Sequence, residues 1–168
     1  LYANIDKFDP GTEAVPYEHR PLFDRWIVSR LNTLISSCIA AYEDYDITLA
    51  GRLIQEFVCD DLSNWYIRLN KKRLWGEGMN EDKLSAYQTL YESLKTVALL
   101  GAPIAPFFME RLWSDLVPGA DSVHYELMPS AQMELIDKGL EESMSFAQKA
   151  SSMVLALRKK VGINVRKP

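Results

Sequence analysis

Between Ser63 and Trp75 the chain reads Ser-Asn-Trp-Tyr-Ile-Arg-Leu-Asn-Lys-Lys-Arg-Leu-Trp, with four cations, three aromatic residues and no acid. On a helix, Arg68, Lys71, Lys72 and Trp75 are three and four residues apart and share one side. Like charges at that spacing repel by about 0.2–0.5 kcal/mol per pair. Together with Arg73 they call for an anion from outside the segment. Phosphate fits, because guanidinium takes it through paired hydrogen bonds and lysine as a point charge. Trp75, at the expected helix end, is placed to stack on an unpaired base, whereas Trp65 lies on an apolar stripe and reads as core. A second acid-free run holds Arg158, Lys159, Lys160, Arg166 and Lys167. The plain alternative for both runs is a solvated helix face, and on composition alone the two readings weigh the same.

The charge balance sharpens this contrast. The chain has 168 residues, 19 basic and 23 acidic, for a net charge of −4. Nine of the basic residues sit in the two runs, so all 23 acids share the remaining chain with ten cations. Two cationic patches on an acidic body suit one aimed polyanion contact and oppose indiscriminate binding. Hydrophobic residues make up 48% and charged residues 25%, which excludes disordered and low-complexity classes. The longest apolar stretch, Val97 to Met109, contains Pro103 and Pro106 and is too short to cross a bilayer. No membrane partner is expected, and with no signal-peptide pattern the expected location is the cytoplasm.

Catalytic chemistry has little support. His19 and His124 lack a neighbouring Cys or second His, and Cys38 and Cys59 form neither a disulfide framework nor a zinc spacing. No Walker loop, GxSxG or HExxH motif occurs. Asp60–Asp61 and Glu141–Glu142 are adjacent pairs whose side chains diverge on a helix. No catalytic residue, metal ligand or cofactor is assigned to the chain itself.

The elements that must carry the cationic runs are helices. Residues 1–19 read as an irregular lead-in. Apolar residues at three- and four-residue steps run from Phe23 to Tyr42, with Pro21 suited to the opening turn. Thr48 is the expected cap of a second helix reaching Trp75, about 27 residues and about 40 Å long, although Asp60 and Asp61 interrupt its stripe. Asn80 caps a third helix that ends at Gly101, Pro106 opens a fourth that closes at Pro118, and residues 120–129 are extended. Ser130 is the expected cap of a last helix with Leu140, Met144, Ala147, Val154 and Leu157 on its apolar face. Gly162 should end that helix, with Ile163 and Val165 beginning a strand. The expected architecture is all-α, an antiparallel bundle of four to five helices over 20–161, with 162–168 opening a link to a further region. Leu1 in place of Met and the basic end at Pro168 read as the edges of a piece of a longer chain.

On these residues the sequence resembles the anticodon-binding helical domain of class I aminoacyl-tRNA synthetases, and within them the isoleucine enzymes. Leu1-Tyr2-Ala3-Asn4-Ile5-Asp6 is similar to the family's exit from its catalytic core. Asp24-Arg25-Trp26-Ile27 with Ser29-Arg30-Leu31 resembles the first bundle helix. Ile54-Gln55-Glu56-Phe57, Asp61 to Arg68 and Lys72-Arg73-Leu74-Trp75 resemble the second. Ala102 to Phe107 is similar to the proline-marked junction, and Ser122-Val123-His124 to the approach to the last helix. Val165-Arg166-Lys167-Pro168 resembles a Val-Arg-Gln-Pro element, with Lys167 in place of Gln. The Trp-Tyr-Ile-Arg run and the basic tail favour isoleucine enzymes over valine and leucine ones. The resemblance implies a parent ligase, monomeric and cytoplasmic, that activates isoleucine with ATP and Mg and loads it on tRNA(Ile). Its catalytic, editing and C-terminal domains would be the partners of this segment. The expected RNA contacts are Arg68, Lys71, Lys72, Arg73 and Trp75, followed by Arg158, Lys159, Lys160 and Arg166. The alternative of another class is a helical protein-interaction module that binds an acidic partner.

Overall fold

The computed structural model describes residues 2–163, and side chains from Ala3 onward. The element Val165 to Pro168, including Arg166, lies outside the described residues, as does the strand expected from Ile163 beyond that first residue, which is described and not in a strand. The structure is all-α, as expected, and no strand occurs among the described residues. The chain divides into two compact units, Leu1–Ile136 and Asp137–Pro168. Each unit is described on its own.

The first unit begins with a single helical turn, α1 (Tyr2–Ile5), followed by an irregular lead-in of turns that ends in a 3-10 turn at Tyr17–His19. Helix α2 (Leu22–Glu43) starts one residue after Pro21, whose carbonyl accepts from the amides of Asp24 and Arg25 at 2.9 and 3.0 Å. Its apolar face carries Trp26, Ile27, Leu31, Leu34, Ile35 and Cys38 into the core. It ends in a Schellman turn: the Asp46 amide donates to the Ala41 carbonyl at 2.8 Å and the Tyr45 amide to the Tyr42 carbonyl at 3.1 Å. Tyr45 takes the left-handed position, at φ 57°.

Asp46, not Thr48, caps α3 (Ile47–Glu56), accepting the Leu49 amide at 2.8 Å. The acid wins because it stands directly before the first helical residue, where its carboxylate reaches the third amide. The single rod expected to Trp75 is three successive pieces. After α3 the backbone changes to π-helical bonding over Phe57–Ile67, then closes into the short α4 (Lys71–Trp75). Bonds from the Asn70 amide to the Tyr66 carbonyl and from the Leu74 amide to the Asn70 carbonyl carry the helix across that junction. A π-helix bonds i to i+5, so each turn holds more residues and the inward face drifts. Phe57, Leu62 and Tyr66 are therefore buried, while Leu69 is 58% exposed and Trp65, expected in the core, is only half-buried. Asp61 faces inward and accepts from Arg30 Nε at 2.8 Å.

Asn80 caps α5 (Glu81–Gly101) as expected, accepting the Lys83 amide at 2.8 Å. Pro106 opens α6 (Pro106–Leu116), which packs on α5 through Met109 and Trp113. Helix α2 packs on α3, the π segment and α5. In the segment expected to be extended, Val123–Tyr125 forms a 3-10 turn held to α6, where Glu110 accepts from Ser122 Oγ and the Val123 amide.

The second unit is α7 (Lys138–Lys160). Asp137 caps it, accepting the Leu140 amide at 2.9 Å, so the cap expected at Ser130 is seven residues too early. Of its expected apolar face, Leu140 and Met144 are half-buried, whereas Ala147, Val154 and Leu157 are exposed. It closes in a second Schellman turn, with Ile163 N–H on the Arg158 carbonyl at 2.9 Å and Gly162 at φ 70°.

Candidate nucleic-acid interface

The segment Tyr66–Trp75 has two faces of opposite character. Inward point Tyr66, Asn70 and Leu74, at successive four-residue steps and all buried. Outward point Arg68, Lys71, Lys72 and Trp75, all exposed. Arg68, Lys71 and Lys72 form no ion pair among the described residues. The Lys71 ammonium lies 5.5 Å from the centre of the Trp75 ring, so a cation and an aromatic face share one surface.

Arg73 departs from the expectation. All five of its N–H donors are taken inside the protein. Nη1 donates to Asp24 Oδ1 at 2.7 Å and Asn70 Oδ1 at 2.9 Å. Nη2 donates to Asp24 Oδ2 at 2.9 Å and the Asp82 carbonyl at 2.7 Å, and Nε to Asp82 Oδ2 at 2.9 Å. No donor is left for a phosphate. Burial works against the charge of Arg73, but the hydrogen bonds to Asp24 and Asp82 outweigh it and raise its pKa above the ordinary arginine value. Arg73 therefore leaves the list of expected RNA contacts.

Its main partner, Asp24, is fully buried. That carboxylate also accepts from Tyr66 at 2.7 Å and from Ser85 Oγ at 2.6 Å. Burial and the neighbouring Asp24 charge push the Tyr66 phenol well above its ordinary pKa, so it stays a donor. The start of α2, the cationic segment and the start of α5 are thus tied at one carboxylate. This junction orients the outward face.

The described part of the second run lies on the last turn of α7. Arg158, Lys159 and Lys160 meet the negative end of that helix dipole, an arrangement that is favourable without any ligand. Lys159 and Lys160 are exposed and Arg158 is half-buried. Among the described residues, no group of three or more His, Cys, Asp or Glu side chains is placed to hold a metal ion. No described helix is long and apolar enough to cross a membrane.

Comparison with known proteins adds the deciding observation. Residues 24–168 match the family described as the anticodon-binding domain of tRNA ligase. The chain belongs to that family. This anticodon-binding domain is 55% identical to the isoleucine–tRNA ligase of Bacteroides fragilis and 52% identical to that of Porphyromonas gingivalis, in each case over the whole chain and 15% of the relative. It is 42% identical to the isoleucine–tRNA ligase of Clostridium tetani, again across the whole chain and 16% of the relative. The domain thus spans about one-sixth of these relatives or less.

Sequence reasoning missed one charged residue of the anticodon-binding domain. Lys83 sits in the first turn of α5, where a cation opposes the helix dipole, yet only 2% of it is exposed. That misplaced charge was the available signal.

Proposed function

We propose that this anticodon-binding domain grips the anticodon stem-loop of tRNA(Ile) through Arg68, Lys71, Lys72 and Trp75. The observation that carries the reading is the division of Tyr66–Trp75 into a buried face of Tyr66, Asn70 and Leu74 and an exposed cationic-aromatic face whose Arg68, Lys71 and Lys72 form no ion pair among the described residues. Phosphates set register and loop bases bear sequence, so a lysine-arginine surface beside a half-exposed indole meets both parts of an RNA loop. Arg158, Lys159, Lys160 and Arg166 are proposed as a second set of contacts.

The parent in this reading is an isoleucine–tRNA ligase, monomeric and cytoplasmic. It forms an isoleucyl adenylate with ATP and Mg and esterifies the amino acid to tRNA(Ile). ATP and Mg would act in the catalytic part, which residues 1–19 would join. Holding the anticodon end uses binding energy remote from the chemistry to position the acceptor end.

The test is binding of isoleucine tRNA across a salt series. Replacing Lys72 or Arg68 by Ala should weaken binding and reduce the slope of log K against log salt by about one for each phosphate contact removed. An unchanged slope in both variants would remove this face from the interface. Equal affinity for any polyanion would replace the reading with a general acidic-partner module.

A further inference from the structure

Lys83 joins two parts of the first unit that are far apart in sequence. Its ammonium is 2.6 Å from Asp6 Oδ2 and donates to the Gly76 carbonyl at 2.7 Å. The Tyr87 ring, one turn along α5, lies 5.8 Å from it. The Tyr87 hydroxyl donates to the same Asp6 oxygen at 2.5 Å and lies 3.3 Å from the Leu74 carbonyl. Leu74 and Gly76 end the cationic segment, and Asp6 belongs to the lead-in. One lysine therefore holds both against the same turn of α5.

The rest of the lead-in follows the same helix. Phe8 packs on Tyr87 and Tyr91, with ring centres 5.4 and 6.2 Å away. Gln88 accepts the Val15 amide at 2.9 Å and donates to the Glu13 carbonyl at 2.9 Å. Helix α5 is thus a rail with the lead-in along it and the cationic segment fixed at its first turn. Stability alone does not call for this arrangement. A buried ion pair can often be exchanged for apolar side chains of similar volume at no loss, whereas removing one partner strands the other charge. What the charged junction supplies is a defined relative position of two backbones.

We propose that Lys83 and Asp6 form a positioning pair that keeps the RNA-gripping segment in register with the lead-in, so that tRNA held by the first is correctly presented to the catalytic part adjoining the second. This rests on the function proposed above. Lys83 is buried and the Asp6 carboxylate is engaged by Lys83 and Tyr87, so the effect belongs to charging turnover and not to tRNA affinity.

The experiment uses the full-length ligase with Asp6→Asn, Lys83→Met and the double variant. Isoleucine-dependent ATP–pyrophosphate exchange, which needs no tRNA, reports an intact fold and catalytic core. Each single variant should keep exchange and the KM for tRNA while kcat for charging falls by about 10- to 100-fold. The double variant should be no worse than Lys83→Met alone, because the two residues act through one contact. Losses that multiply, a loss equally present in exchange, a change confined to KM, or unchanged charging would overturn the proposal. Failure of the wild-type ligase to charge isoleucine tRNA would instead overturn the function reading, and this inference with it.

Discussion

At the scale of single residues, Arg73 and Lys72 are neighbours with opposite duties. Arg73 spends its whole donor set on Asp24, Asn70 and Asp82, whereas Lys72 is exposed and outside every ion pair among the described residues. Arg73→Met should lower unfolding free energy by about 3–5 kcal/mol, because it strands the buried Asp24 carboxylate. Lys72→Ala should stay within about 0.5 kcal/mol of the parent while weakening tRNA binding. Urea titrations of both variants check the contrast, and equal stabilities would contradict the buried junction. Nothing in the run Lys71-Lys72-Arg73 distinguishes these roles locally. The partner that does so stands 49 positions away in the chain, on a different helix.

At the scale of elements, the helices were legible wherever bonding stayed α-helical. The apolar steps of α2, the Asn80 cap of α5 and the proline opening α6 all appear in the structure as expected. The piece between Glu56 and Arg68 was not, because a shift to i→i+5 bonding carries no residue signature of its own. Its trace was the pair Asp60 and Asp61 on an otherwise apolar stripe: Asp61 is buried against Arg30, and Asp60 is exposed. The caps at Asp46 and Asp137 were missed for another reason. Several Ser, Thr and Asp residues near each boundary can cap, and only backbone geometry chooses among them. The end of α2 also offers a stability gain. Tyr45 is 89% exposed and held at φ 57°, a region that costs a residue with a Cβ about 1–2 kcal/mol. Tyr45→Gly should stabilise the first unit by about 1 kcal/mol, read from the denaturation midpoint. A loss of stability would show that the tyrosine ring contributes more than its backbone costs.

At the scale of the whole molecule, the two units differ in how much they bury. Trp26, Ile27, Phe57, Leu62, Tyr66 and Leu100 are almost inaccessible in the first. In the second, Glu141 is the one buried residue among those described, and Phe146, Met153 and Leu157 are each more than 60% exposed. Local opening follows local burial, so amides in α7 should exchange with deuterium orders of magnitude faster than those in the middle of α2 and α5. Mass-spectrometric exchange checks this, and equal protection would show that the two units open together. An amphipathic period marked α7 as a helix but did not reveal how little of that face would be covered, since coverage depends on neighbours the period does not specify.

The junction at Asp24 also bears on the order in which the chain assembles. Its carboxylate collects donors from positions 42, 49 and 61 residues downstream. Such closures come after the local turns have formed, because long loops must first be gathered at an entropic cost. A lone carboxylate cannot enter the interior before its partners arrive, so dehydration of this centre belongs to the native side of the folding barrier. Weakening the centre would then leave the refolding rate nearly untouched and shorten the lifetime of the finished domain.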